Sequence, residues 1–81
     1  MIKLIEKGTC IWIYEIEDAF GRQLPEMEIV LGEDILKSDG DYENYNGDLV
    51  VPVEKVEDAI SEYMTENYPG VHDYMYDIED E

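Results

Sequence analysis

Residues 52–70 read Pro-Val-Glu-Lys-Val-Glu-Asp-Ala-Ile-Ser-Glu-Tyr-Met-Thr-Glu-Asn-Tyr-Pro-Gly, and the period of this stretch decides the fold class. Val53, Val56, Ile60, Tyr63 and Met64 recur at helical spacing, with Ala59 on the same side. Pro69-Gly70 stops the helix at about Tyr68. A helix with one apolar stripe needs a surface to cover, and the residues before it supply strands.

Upstream, Ile2 to Ile5 is a short apolar-rich stretch punctuated by Lys7-Gly8. Cys10 to Ile16 runs Cys-Ile-Trp-Ile-Tyr-Glu-Ile, rich in β-branched and aromatic types. Alternation puts Cys10, Trp12, Tyr14 and Ile16 on one face and Ile11 and Ile13 on the other. The expected strand is buried on both sides at its start and half exposed at Glu15 and Glu17. Met27 to Leu31 reads as its antiparallel partner, across a connector holding Gly21 and Pro25. Gly32 to Lys37 fits either a strand end or a helical turn. Ser38 to Asp48, with its Asp-Gly and Asn-Gly pairs, reads as a loop, and Leu49 to Val51 as a brief strand ended by Pro52. Beyond Gly70, the spacing of Val71, Tyr74, Met75 and Ile78 suggests a second short helix, although an extended segment also accommodates them. The expected fold is α+β: a small antiparallel sheet of three to four strands with one or two C-terminal helices packed on it.

Charge is the other decisive feature. The 81 residues carry 22 Asp and Glu against five Lys and Arg, a net charge of −17. Residues 1–40 hold nine acids and four bases, residues 41–81 thirteen acids and one base, Lys55. Such a field repels nucleic acid and anionic membranes and favours a strongly basic partner. Seven Tyr, one Trp and one Phe argue for a folded single domain over a disordered acidic tail, with fraying expected only at Glu79-Asp80-Glu81. The single cysteine, Cys10, excludes an internal disulfide and a multi-cysteine metal cluster, and its apolar context suggests a small buried hydrophobe. No charged-then-apolar leader opens the sequence and no apolar run reaches membrane-spanning length, so cytoplasmic residence in a bacterial host is expected.

The acids are placed with a pattern. Glu54, Glu57, Asp58, Glu62 and Glu66 stand opposite the apolar face of the helix, and Glu54, Asp58, Glu62 and Glu66 form a ladder at intervals of four. Each like-charge step destabilises a helix by about 0.2–0.5 kcal/mol, so three steps cost roughly 1 kcal/mol. Carboxylates one step apart are separated by about 6 Å along the axis. That spacing is comparable to the roughly 6–7 Å between phosphates on a backbone rising about 3.4 Å per nucleotide. The plain alternative is a solvated acidic face. Asp39, Asp41 and Glu43, with Tyr42 and Tyr45 between them, share the spacing that opens a calcium loop. The match fails at Asn44, where the turn glycine belongs, and at Val50, where the bidentate Glu belongs. Asp73 and Asp77 continue the acidic theme. Tyr63 and Tyr74 suit the core, whereas Tyr42, Tyr45 and Tyr76 sit among acids and suit either exposure or an interface.

No catalytic constellation emerges. His72 and Asp73 are adjacent and point apart on a helix or a strand. No phosphate loop, nucleophile elbow or zinc spacing occurs. The expectation is no enzyme, no cofactor and no metal.

In size and charge layout the chain resembles the small phage-encoded anti-restriction and anti-CRISPR proteins that mimic DNA. The resemblance rests on Glu54-Asp58-Glu62-Glu66, on Asp39-Gly-Asp41-Tyr-Glu43 and on Asp73 to Glu81, roughly the second half of the chain. Those proteins share no common motif, so no individual residue role carries over. The resemblance implies an inhibitor that blocks the basic groove of a nuclease complex of bacterial defence. Alternatives are an immunity or antitoxin-type protein capping a basic nuclease toxin, and a structural domain whose acidity serves solubility. Among these readings the expected partner is a basic nucleic-acid-binding protein, with no direct contact to nucleic acid or membrane.

Overall fold

Ile11 and Ile13 are completely buried while Trp12 between them is 40% exposed, so the strand that carries them has one core face and one open face. In the computed structural model, which describes residues 3–79, that strand is β2 (Cys10–Asp18), preceded by β1 (Leu4–Glu6). β3 (Gln23–Leu24) and β4 (Met27–Val30) pair antiparallel along one edge of β2, interrupted at Pro25-Glu26. β5 (Glu43–Tyr45) and β6 (Asp48–Pro52) form a hairpin whose two-residue turn, Asn46-Gly47, has positive φ at both positions. That turn matches the twist of the flanking strands and calls for those two residue types. β1 pairs with the other edge of β6. The helix α1 (Val53–Asn67) follows directly, and β7 (Val71–Glu79) returns antiparallel along the edge of β2 opposite β4.

Among the described residues, two antiparallel sheets, of three and four strands, and one α-helix therefore share a core. Ile11, Ile13, Ile16 and Ile29 meet Ile5 and Val51 from the smaller sheet and Val56, Ile60 and Met64 from α1. The helix buries the stripe its period marks out, and its first amide, Val53 N–H, donates to the Lys3 carbonyl at 2.9 Å. It ends with Tyr68 N–H donating to the Met64 carbonyl, and the chain turns through Pro69-Gly70 into β7. At the β2–β3 corner the buried Asp18 carboxylate accepts the Phe20 and Arg22 amides at 2.9 Å and Arg22 Nε–H at 2.8 Å. This fixes a turn that leaves Phe20 83% exposed. Among the described residues no helix is long and apolar enough to cross a membrane.

The α+β class holds, and several local expectations change. Residues 71–79 form a strand, not a second helix: Tyr74, Tyr76 and Ile78 pack toward the core, which is period two. Ile16 does not share the face of Trp12. Glu15 adopts φ 50°, the register against β7 slips there, and the resulting bulge turns Ile16 inward beside Ile11 and Ile13. The start of β2 is buried on one side only. The 38–48 segment holds a single 3-10 turn at Asp39–Asp41 and then β5, so it is not wholly loop. Glu79 is the last residue of β7, while Asp80 and Glu81, expected to fray, lie outside the described residues.

Candidate partner-binding surface

The ladder on α1 is fully presented. Glu54, Asp58, Glu62 and Glu66 are all exposed, off the apolar stripe that α1 buries. From Glu54 to Glu66 the row spans about 18 Å at 1.5 Å per residue. No base occupies the last turn, so Glu66 also opposes the negative end of the helix dipole. Beside the ladder lies an open hollow lined by Asp34, Lys37, Asp41, Glu62 and Glu66. Fold topology thus joins Asp41 from the loop to the last two rungs. Asp34, which the sequence pattern did not single out, is brought there by the turn that its own carboxylate fixes, accepting Val30 N–H at 2.7 Å.

Three expected acids are arranged differently. Glu57 lies at the flank of α1 and accepts the Tyr76 hydroxyl at 2.6 Å, tying the helix to β7. That bond, with burial, pushes the Tyr76 phenol up to about 12. Asp39 is ion-paired with Lys7 at 2.6 Å. Glu43 is exposed on β5 opposite Val50, apart from the hollow.

Asp73 and Asp77 belong to another surface. On β7 they alternate with the inward Tyr74, Tyr76 and Ile78, so they project from the outer face of the four-stranded sheet, away from α1. Glu28 and Glu79 stand on that same face. The ten expected binding acids are therefore not gathered on one face: Glu54, Asp58, Glu62, Glu66 and Asp41 share the helix side, Asp73 and Asp77 the outer face of the four-stranded sheet, and Glu43 the smaller sheet. No family model matches the chain, no curated protein is significantly similar to it, and no solved structure matches its fold at a significant level. The functional reading rests on the geometry.

Burial overturns two further expectations. Tyr42 is only 8% exposed and its hydroxyl donates to the Leu36 carbonyl at 2.6 Å, so it belongs to the core despite its acidic neighbours. Tyr45 remains 63% exposed, and Tyr63 and Tyr74 pack against the core as their spacing suggests. Cys10 is not a core residue. It sits half exposed on the outer sheet face, where its Sγ and carboxylate oxygens of Glu28 and Glu79 lie within 4.8 Å of one another. One sulfur and two carboxylates could approach a cation. Desolvation, together with the carboxylates of Glu28, Glu79 and Glu33, raises the thiol above its ordinary value. His72 is exposed on β7.

Proposed function

We propose that the protein is an acidic inhibitor that mimics nucleic acid and occupies the basic groove of a nuclease complex of bacterial defence, of the anti-CRISPR or anti-restriction type. The observation that carries this reading is the exposed row Glu54-Asp58-Glu62-Glu66, continued sideways by Asp41 and Asp34. A helix sets the attachment points of successive carboxylates about 6 Å apart along its axis before binding, close to the repeat of a phosphate strand. Repulsion within the row is a standing cost to the free protein, and a basic groove relieves it. Binding then releases the groove's counterions as nucleic acid does, and exclusion of the true ligand is stoichiometric.

The test is capture from a bacterial lysate at low and high salt, with duplex DNA as competitor. Salt-labile recovery of a nucleic-acid-handling complex that the DNA displaces supports the reading. The triple variant Asp58→Lys, Glu62→Lys, Glu66→Lys should lose that recovery while keeping its fold. Undiminished recovery by the variant, or capture that DNA does not displace, refutes the helix as a mimic surface.

A further inference from the structure

Trp12 is the one tryptophan of the chain, and it stands at the centre of the outer face of the four-stranded sheet, 40% exposed. Its register partners are Glu28 on β4 and Asp77 on β7, one on each side. Directly opposed residues of antiparallel strands project from the same face, with neighbouring strands about 4.8 Å apart. The indole is therefore flanked by two exposed carboxylates across a gap of roughly two strand spacings. Tyr14 packs against it with ring centroids 5.3 Å apart. Met75, opposite Tyr14 and 50% exposed, extends the apolar floor.

We infer that this face is an arginine-binding surface, on which a partner's guanidinium stacks over Trp12 and donates to Glu28 and Asp77. The inference rests on the basic partner of the proposed function and adds a second contact face for it, apart from the α1 ladder, with Trp12 as its anchor.

Charge complementarity selects the occupant. β2, β3, β4 and β7 contain no Lys and no Arg, while Glu28, Asp73, Asp77 and Glu79 rim the outer face. A second copy of a chain at −17 brings the same charge to the same place and is repelled. A neutral apolar segment would desolvate the rim carboxylates with nothing to pair them. Arginine meets each requirement. Its plane stacks on an indole, its fork reaches two carboxylates at once, and it sheds water more readily than lysine. Lysine satisfies the charge but gains less from the ring.

The experiment titrates the intact protein with hexa-arginine and hexalysine peptides at matched low ionic strength, following Trp12 emission and binding heat. The expected result is a change in Trp12 emission with hexa-arginine and an affinity roughly two- to fivefold above that for hexalysine, the range one exposed cation–π contact supplies. Trp12→Leu should erase the preference while leaving salt-sensitive binding of both peptides. The exposed pair Glu28→Gln, Asp77→Asn, which leaves the indole in place, should weaken hexa-arginine more than hexalysine and suppress the emission change. Equal affinities with unchanged emission, or a preference that survives Trp12→Leu, overturn the arginine site. In that case salt-sensitive binding of both peptides leaves the basic-partner reading standing. If neither peptide binds, both fall together.

Discussion

Replacing Glu62 by lysine should make the protein more stable and its partner complex weaker, and the two signs together test why the ladder exists. Glu62 has Asp58 four residues before it and Glu66 four residues after it, all exposed on α1. The substitution removes two repulsive pairs and installs two attractive ones, each of the four changes contributing about 0.2–0.5 kcal/mol. The sum is a gain of roughly 0.8–2 kcal/mol, trimmed toward the lower end because Lys37 shares the hollow with residue 62. At about 1 kcal/mol, for a domain of this size, that corresponds to a rise in Tm of about 4–8 °C. Urea unfolding followed by circular dichroism reads the gain directly. In about 1 M salt the Debye length falls to roughly 3 Å and most of the gain should vanish. A variant that is no more stable than the parent, or whose gain ignores salt, would show that the row carries no electrostatic strain. The inference that a partner maintains it would then lose its premise.

Two further outcomes follow from single hydrogen-bonded groups. The Tyr76 phenol, raised to about 12 by its bond to Glu57, contributes stability that is full below the ordinary tyrosine value of 10 and disappears as pH rises through about 12. Burial also raises Tyr14, Tyr42 and Tyr63, so ultraviolet titration should show several late-ionising tyrosines, with the component near pH 12 lost in Tyr76→Phe, which should be less stable at neutral pH by about 1 kcal/mol; a latest component that survives Tyr76→Phe unchanged contradicts the bond. The Asp18 carboxylate is held below its ordinary value chiefly by the Arg22 amide, against an opposing effect of burial, and further by the Phe20 amide and the Arg22 guanidinium. Its contribution is therefore present above pH 3.8 and lost as pH falls below that, so Asp18→Asn should flatten acid unfolding in this range. Parallel acid curves for parent and variant would assign the acid sensitivity elsewhere.

Local pattern carried the helix and distance defeated the last strand. Residues 53–67 are legible because Val56, Ala59, Ile60 and Met64 satisfy the helical period and no competing alternation runs through them. Residues 71–79 satisfy both periods: Val71, Tyr74, Met75 and Ile78 fit a helix, and Tyr74, Tyr76 and Ile78 fit a strand. Pairing with β2, more than fifty residues away in sequence, settles the choice, and no local window contains that information. Tyr42 misled for a related reason, since its acidic neighbours say nothing about the Leu36 carbonyl that its hydroxyl reaches. The bulge at Glu15 has no glycine to announce it, yet it decides which face Ile16 takes. The acids were visible one by one. Their division between the helix side and the outer sheet face depends on residues 71–79 being extended, and the setting of Trp12 between Glu28 and Asp77 requires two strand registers at once.

The pairing of Cys10 with Glu79 joins positions 10 and 79, enclosing almost the whole chain in one loop. For a loop of that length the closure entropy is roughly 3.7 kcal/mol, plus a constant. The β5–β6 hairpin, closed by two residues whose geometry is built in, carries no such burden. No individual ladder hydrogen bond offsets a closure of that size, since each nets only about 1 kcal/mol. β7 can therefore remain in place only while Tyr74, Tyr76 and Ile78 have the assembled core beneath them. The order of the outer face and the order of the interior are a single cooperative event, and a partner that grips the face stabilises the whole molecule.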